Sequence, residues 1–79
     1  MSFMDQVREH MIEVDGRRVA VPENATARQI LRAAGKDTSS RDLVSEMEGG
    51  MTRIHPKDNR IYVKDGNIFT SHIAGTAGV

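Results

Sequence analysis

The chain contains no cysteine and no tryptophan, and its aromatic side chains are two phenylalanines and one tyrosine. Without cysteine there is no disulfide, no thiol nucleophile and no thiolate metal site. So few aromatic rings cannot form a platform on which nucleic-acid bases stack. No apolar run approaches the ~18 residues of a membrane-spanning helix, and the polar N-terminus lacks the hydrophobic segment of a secretory signal. We therefore expect a cytoplasmic protein with no membrane partner.

Neither sign of charge is in excess, because 11 Lys and Arg residues balance 11 Asp and Glu residues. A nucleic-acid-binding protein needs a basic excess or stripe, so we expect no nucleic-acid partner. A chain of 79 residues allows one domain at most and leaves no room for a catalytic domain with a deep cleft. We predict a flexible polar arm over residues 1–9, a domain over residues 10–73 and a flexible tail over residues 74–79.

The residue types that carry catalysis are present without a recognisable spacing. The three histidines are far apart in the sequence: His10, His55 and His72. They lack the close pairing of zinc ligands, so we expect no metal and no cofactor. Ser39, Ser40 and Ser45 have no base at motif spacing, which argues against a nucleophilic serine. The sequence thus predicts no catalytic residue and a protein that is not an enzyme.

A β-hairpin is predicted around Asp15-Gly16. Residues 11–14 and 17–21 flank this dipeptide and alternate between apolar and polar side chains. Asp-Gly favours a type I′ turn because both central positions need a positive φ. Pro22 has no N–H and is expected to end the second strand.

One helix is predicted over residues 26–34. Thr26 and Gln29 have the spacing of a capping box at its start. Apolar residues recur at the spacing of one helical face: Ala27, Ile30, Leu31 and Ala34. Gly35 suits the left-handed position that ends a helix.

Further short strands are predicted after the helix, over residues 43–47, 51–54 and 67–73, while residues 60–63 suit either a strand or a 3₁₀ turn. One helix can cover one face of a small sheet, which gives an α+β fold with two layers. The last strand is expected to lie parallel to the first, with Phe69 and Ile73 facing inward. This topology is a β-grasp, with a mixed sheet of four to five strands and one helix on one face.

Two segments resemble the ubiquitin-like proteins of bacteria, in particular the multiubiquitin-type domains. They are VDGRRVAVP at residues 14–22 and RQILRAAGK at residues 28–36. The similarity covers residues 10–79 and includes the order of elements and a tail that contains glycine. It implies a protein modifier, whose partners are an activating enzyme, a conjugating enzyme, a processing peptidase and a target protein. Bacterial systems of this kind are associated with defence against phage.

The resemblance also suggests which tail residue would react. Gly78 falls about where the reactive terminal glycine of ubiquitin falls, and Val79 is then a one-residue extension that a peptidase removes. Glycine suits a narrow active-site channel because a Cβ there would clash. Gly75 is the alternative acyl donor. Two other functions stay open: a sulfur carrier with a C-terminal thiocarboxylate, and a β-grasp assembly module that is never conjugated.

The face of the sheet opposite the helix is a predicted partner surface. Four side chains are expected to point to solvent there: Val44, Ile68, Thr70 and His72. Ubiquitin uses this face for partners, and an exposed Ile beside an exposed Val would form a small apolar patch. The same face is a candidate for self-association, with the N-terminal arm as the complementary piece.

Overall fold

The computed structural model describes residues 8–74. In chain order the elements are β1 Glu9–Val14, β2 Arg17–Pro22, β3 Asn24–Thr26, α1 Ala27–Ala33, β4 Arg41–Glu46, a 3₁₀ turn at Glu48–Gly50, β5 Thr52–His55, β6 Arg60–Tyr62 and β7 Ile68–Ile73. The predicted arm therefore lies outside the described residues over positions 1–7. Its last residue, Glu9, is the first residue of β1.

Five strands form a mixed sheet in the order β2-β1-β7-β4-β5, and β3 and β6 form a separate two-stranded sheet. The only parallel pair within the described residues joins β1 to β7, with Val14 opposite Phe69. The last strand thus lies at the centre of the sheet between β1 and β4. The expected parallel pairing, and the α+β fold with a mixed sheet and one helix, are confirmed.

The turn between β1 and β2 has the geometry that its sequence predicts. Asp15 has φ 53° and Gly16 has φ 81°, which are the two positive values of a type I′ turn. Glycine adopts such values without a steric penalty, and aspartate tolerates them better than most residues. The hairpin register runs from Val14 opposite Arg17 to Glu9 opposite Pro22, so β2 ends at Pro22 as predicted.

The helix begins with the predicted capping box. The Gln29 amide donates to Thr26 Oγ1 over 3.1 Å, and the Thr26 amide donates to Gln29 Oε1 over 2.8 Å. The helix ends at Ala34, its C-cap, and Gly35 follows with a left-handed φ of 74°. Its buried side chains are those of the predicted apolar stripe: Ala27, Ile30, Leu31 and, at the cap, Ala34.

The core lies between the helix and one face of the five-stranded sheet. Its largest fully buried members outside the helix come from several strands and one loop: Ile12, Val14, Val21, Leu43 and Val63. Phe69 is 4% exposed and belongs to this cluster, so its predicted inward orientation is confirmed. The expectation for Ile73 was wrong, since it is 58% exposed. It is the last residue of β7, opposite the first residue of β4, where the paired region ends.

The β3–β6 sheet closes one side of the core. Of the two alternatives for residues 60–63, the strand is the one observed, as β6 over Arg60–Tyr62. The strand β3 was not predicted. The Val63 amide donates to the Glu23 carbonyl over 2.9 Å, and Ala25 and Val63 are fully buried. Among residues 8–74 no helix is long and apolar enough to cross a bilayer.

Candidate functional site

The predicted reactive positions Gly75, Gly78 and Val79 lie outside the described residues. The structure describes the chain up to the residue before them. Ala74 is exposed, and its amide donates to the Ser40 carbonyl over 2.8 Å. Ile73 and Ala74 are therefore held at the surface beside the residues that begin β4 and the loop that precedes it.

Asp15 fixes the C-terminal half of β7 to the hairpin. Its carboxylate accepts a hydrogen bond from the Ser71 amide over 2.8 Å and another from Ser71 Oγ over 2.5 Å. Lys36 Nζ lies 3.4 Å from the same carboxylate. Partial burial by itself would raise the pKa of Asp15, but the two hydrogen bonds from Ser71 and the nearby ammonium of Lys36 outweigh it and lower the pKa below 3.8. The carboxylate is thus held in its charged form.

The outer face of the sheet carries three of the four predicted partner residues at its surface. Ile68 is 62% exposed, and Thr70 and His72 are also exposed. They occupy alternate positions of β7, and Phe69 between them points into the core. His72 Nε2 lies 3.2 Å from Thr70 Oγ1, which links the two polar members of the surface.

The expectation that Val44 is exposed was wrong, because its side chain is only 2% exposed. Val44 follows the core residue Leu43 on β4, so its side chain faces the other side of the sheet and does not belong to the core cluster. Its cross-strand neighbours are Thr70 on β7 and Ile54 on β5, so the side chains of both flanking strands surround it. Val44 is therefore the buried floor of a shallow groove that Ile68, Thr70 and His72 also line.

Two apolar residues of this face were not predicted. Met11 on β1 is 42% exposed and Ile54 on β5 is 44% exposed. Met11 alternates with the buried Ile12, and it lines a second groove together with Ile68. The alternation at Met11 was visible in the sequence, whereas Ile54 could be placed only with the β4–β5 register. We call the set Met11, Val44, Ile54, Ile68, Thr70 and His72 the outer face.

On the helix side of the sheet, two residues are in contact that were not predicted to be neighbours. Ser45 Oγ on β4 lies 2.8 Å from His55 Nε2 on β5. Their separation of ten residues matches no nucleophile–base motif, and the β4–β5 hairpin alone brings them together. Within the described residues, no group of three His, Asp or Glu side chains is arranged to hold a metal ion.

No protein-family model, no curated protein sequence and no solved structure matches this chain. The site is therefore interpreted from its own geometry: an anchored strand end, an outer face with exposed apolar side chains and a Ser–His pair on the helix side.

Proposed function

We propose that this chain is a β-grasp protein of the ubiquitin-like class and acts as a protein modifier. An activating enzyme adenylates its C-terminal glycine, a conjugating enzyme receives the acyl group, and the modifier is joined to a target protein. The chain itself is the substrate of these reactions and not their catalyst. A bacterial operon with these enzymes would place it in defence against phage.

One observation supports this proposal most strongly. The last strand enters the centre of the sheet parallel to the first, and its end is exposed at Ile73 and Ala74. The central position of β7 ties the strand to the core through Phe69, while Asp15 holds Ser71 near its end. A modifier needs this combination, because a rigid body must present the residues that follow to the active site of a separate enzyme. The mixed sheet with one helix on a single face is compatible with a β-grasp.

We infer that Gly78 is the acyl donor and that a peptidase first removes Val79, with Gly75 as the alternative donor. Activation requires a free carboxylate in a narrow channel beside a nucleotide phosphate. Glycine permits that close approach because it has no Cβ. Cleavage after Gly75 would leave only one residue beyond Ala74. Such a tail is too short to extend far from the domain into the active site of another enzyme.

The outer face favours a role in binding, either within this cascade or alone. Its exposed apolar side chains are Met11, Ile54 and Ile68, and Val44 is buried between Ile54 and Thr70. Thr70 and His72 supply two polar groups that can hydrogen-bond. Such a face suits a protein partner. It also supports the second candidate function, a β-grasp assembly module whose tail undergoes no chemistry. The N-terminal arm over residues 1–9, the proposed complementary piece for self-association, lies outside the described residues over positions 1–7.

The mass of the protein separates the candidates. The chain is produced in its host together with the neighbouring genes, and its free form is weighed intact. Loss of one valine supports trimming at Val79, and a further covalent adduct on a larger protein supports the modifier. A gain of one sulfur atom on the trimmed chain identifies a sulfur carrier. A full-length chain without any adduct leaves only the assembly module.

A further inference from the structure

The side chains of Ser45 and His55 form a hydrogen-bonded pair on the helix side of the sheet. In the β4–β5 ladder Ser45 is opposite Arg53 and Leu43 is opposite His55, so the two side chains meet on a diagonal of one face. The distance from Ser45 Oγ to His55 Nε2 is 2.8 Å, which is that of a good hydrogen bond. The His55 ring also packs edge-on against Phe69, with ring centroids 5.8 Å apart and planes at 71°. This contact fixes the orientation of the imidazole.

The surroundings of His55 keep it neutral near pH 7. Burial lowers its pKa below 6.5, and the positive charge of Arg53 on the same strand lowers it further. Among the residues that line the adjoining cleft, Glu46 on β4 carries a charge, while β6 and β7 contribute the uncharged Ile61, Ile68 and Phe69. In the neutral tautomer that carries its proton on Nδ1, the lone pair on Nε2 accepts a hydrogen bond from the Ser45 hydroxyl. Nε2 can then accept that proton when the oxygen attacks an electrophile.

Other serines of the domain bond to carboxylates instead. Ser39 Oγ lies 2.7 Å from Asp37 Oδ1, and Ser71 Oγ is bound to Asp15. Hydrogen bonds from the amide and hydroxyl of Ser39 lower the pKa of Asp37 below 3.8, so this carboxylate is a weak base. Ser39 is therefore a matched reference for Ser45, with a similar hydrogen-bond length and a much weaker base.

An open cleft of ≈ 520 Å³ adjoins the pair. Its walls combine the two polar partners with apolar side chains and two further polar residues: Ser45, His55, Phe69, Ile61, Ile68, Glu46 and Asn67. A small apolar acyl group fits against the apolar part of this wall, which includes Ile61 and Phe69. The cleft thus gives a reagent access to the hydroxyl of Ser45.

We propose that Ser45 is a nucleophilic hydroxyl, paired with His55, that accepts a small acyl group from an activated ester or thioester. Ser45 Oγ attacks the acyl carbonyl carbon, and its proton passes to His55 Nε2. The bond from that carbon to the leaving oxygen or sulfur breaks, and the leaving group takes the electron pair. The proton on His55 then passes to the leaving group or to water. The product is a chain esterified at Ser45, a modification that does not depend on the proposed chemistry of the tail.

The test uses p-nitrophenyl acetate with the purified full-length chain. Acetylation of each serine is followed over time by peptide mass spectrometry in acid, which preserves esters. Because a positioned general base typically accelerates such a step by 10²–10⁴-fold, Ser45 should be acetylated about 100-fold faster than Ser39. Ser45→Ala should remove this rapid phase, and His55→Gln should reduce it to about the rate of Ser39.

Two further measurements keep the outcome interpretable. Circular dichroism checks that both variants retain the fold, because His55 also contacts Phe69. In the unaltered chain, the acetylation rate at Ser45 should rise with pH while His55 loses its proton. It should reach a plateau before pH ~7, because the pKa of His55 lies below 6.5. The rate at Ser39 should keep rising with the hydroxide concentration. Equal rates at Ser45 and Ser39, or a Ser45 rate that rises without a plateau, would overturn the proposal.

Discussion

Replacement of Asp15 by asparagine should loosen the end of the last strand and destabilise the whole domain. The variant keeps a residue that tolerates the positive φ at this position, so the turn itself is preserved. It loses the negative charge that accepts from the Ser71 amide and hydroxyl and that lies 3.4 Å from Lys36 Nζ. Charged hydrogen bonds contribute more than neutral ones by about 1 kcal/mol, and an exposed ion pair adds about 0.2–1 kcal/mol. The expected loss of unfolding free energy is therefore about 1–2 kcal/mol.

The assay is urea unfolding of both proteins, followed by circular dichroism at several pH values. The pKa of Asp15 is lower in the folded state than its ordinary value of 3.8, so the ionised carboxylate stabilises the fold above that value. This contribution is lost as the pH falls through the lowered folded pKa. The difference between the two proteins should therefore be constant from pH ~5 to ~8 and shrink as the pH falls below ~4. Hydrogen exchange at the Ser71 amide should also become faster in the variant.

Asp58→Asn is the matched control. Asp58 pairs with Arg28 over 3.2 Å, but its side chain is 85% exposed, so this pair should contribute less than about 0.5 kcal/mol. If Asp15→Asn and Asp58→Asn lower stability equally, or if the effect of Asp15→Asn does not diminish in acid, the anchoring role assigned to Asp15 is refuted.

Four other substitutions test the fold and the outer face. Thr26→Ala removes the helix cap and should cost about 1 kcal/mol in thermal or urea unfolding; an unchanged midpoint would contradict the role of the capping box. Val44→Ala should cost about 1.5–3 kcal/mol because the side chain is buried, whereas Ile68→Ala should cost less than about 0.5 kcal/mol; the reverse order would show that the outer face is misassigned. Ile68→Asp should abolish binding of a protein partner to the outer face at nearly unchanged stability, as measured by calorimetry; unchanged affinity would exclude Ile68 from that interface.

Local signals in the sequence predicted most of the fold. The Asp15-Gly16 turn and the Thr26–Gln29 capping box involve residues at most three positions apart, so their chemistry can be recognised without knowledge of the tertiary structure. The parallel pairing of β1 and β7 followed from the need to bury Phe69 under the single helix. The three-residue strand β3 was missed because its pairing with β6 depends on residues more than thirty positions away.

The sites were predicted less well, because exposure depends on neighbours that the sequence does not identify. Alternation placed Val44 on the outer face correctly, but it did not show that Thr70 and Ile54 flank Val44 closely enough to bury it. Ile73 has the parity of Phe69 and yet is exposed, because the paired region ends there. The contact of Ser45 with His55 arises from the β4–β5 register alone.

The most direct test of the proposed function is to sequence the junction between this chain and its target. The chain and its Gly78→Ala and Gly75→Ala variants are expressed with the activating and conjugating enzymes, and conjugates are digested and analysed by tandem mass spectrometry. We expect branched peptides in which the carbonyl of Gly78 is bonded to a target amine or hydroxyl, with Val79 absent. Gly75→Ala should still form them and Gly78→Ala should not. Conjugates of undiminished yield from Gly78→Ala, or a junction at any other residue, would contradict the account.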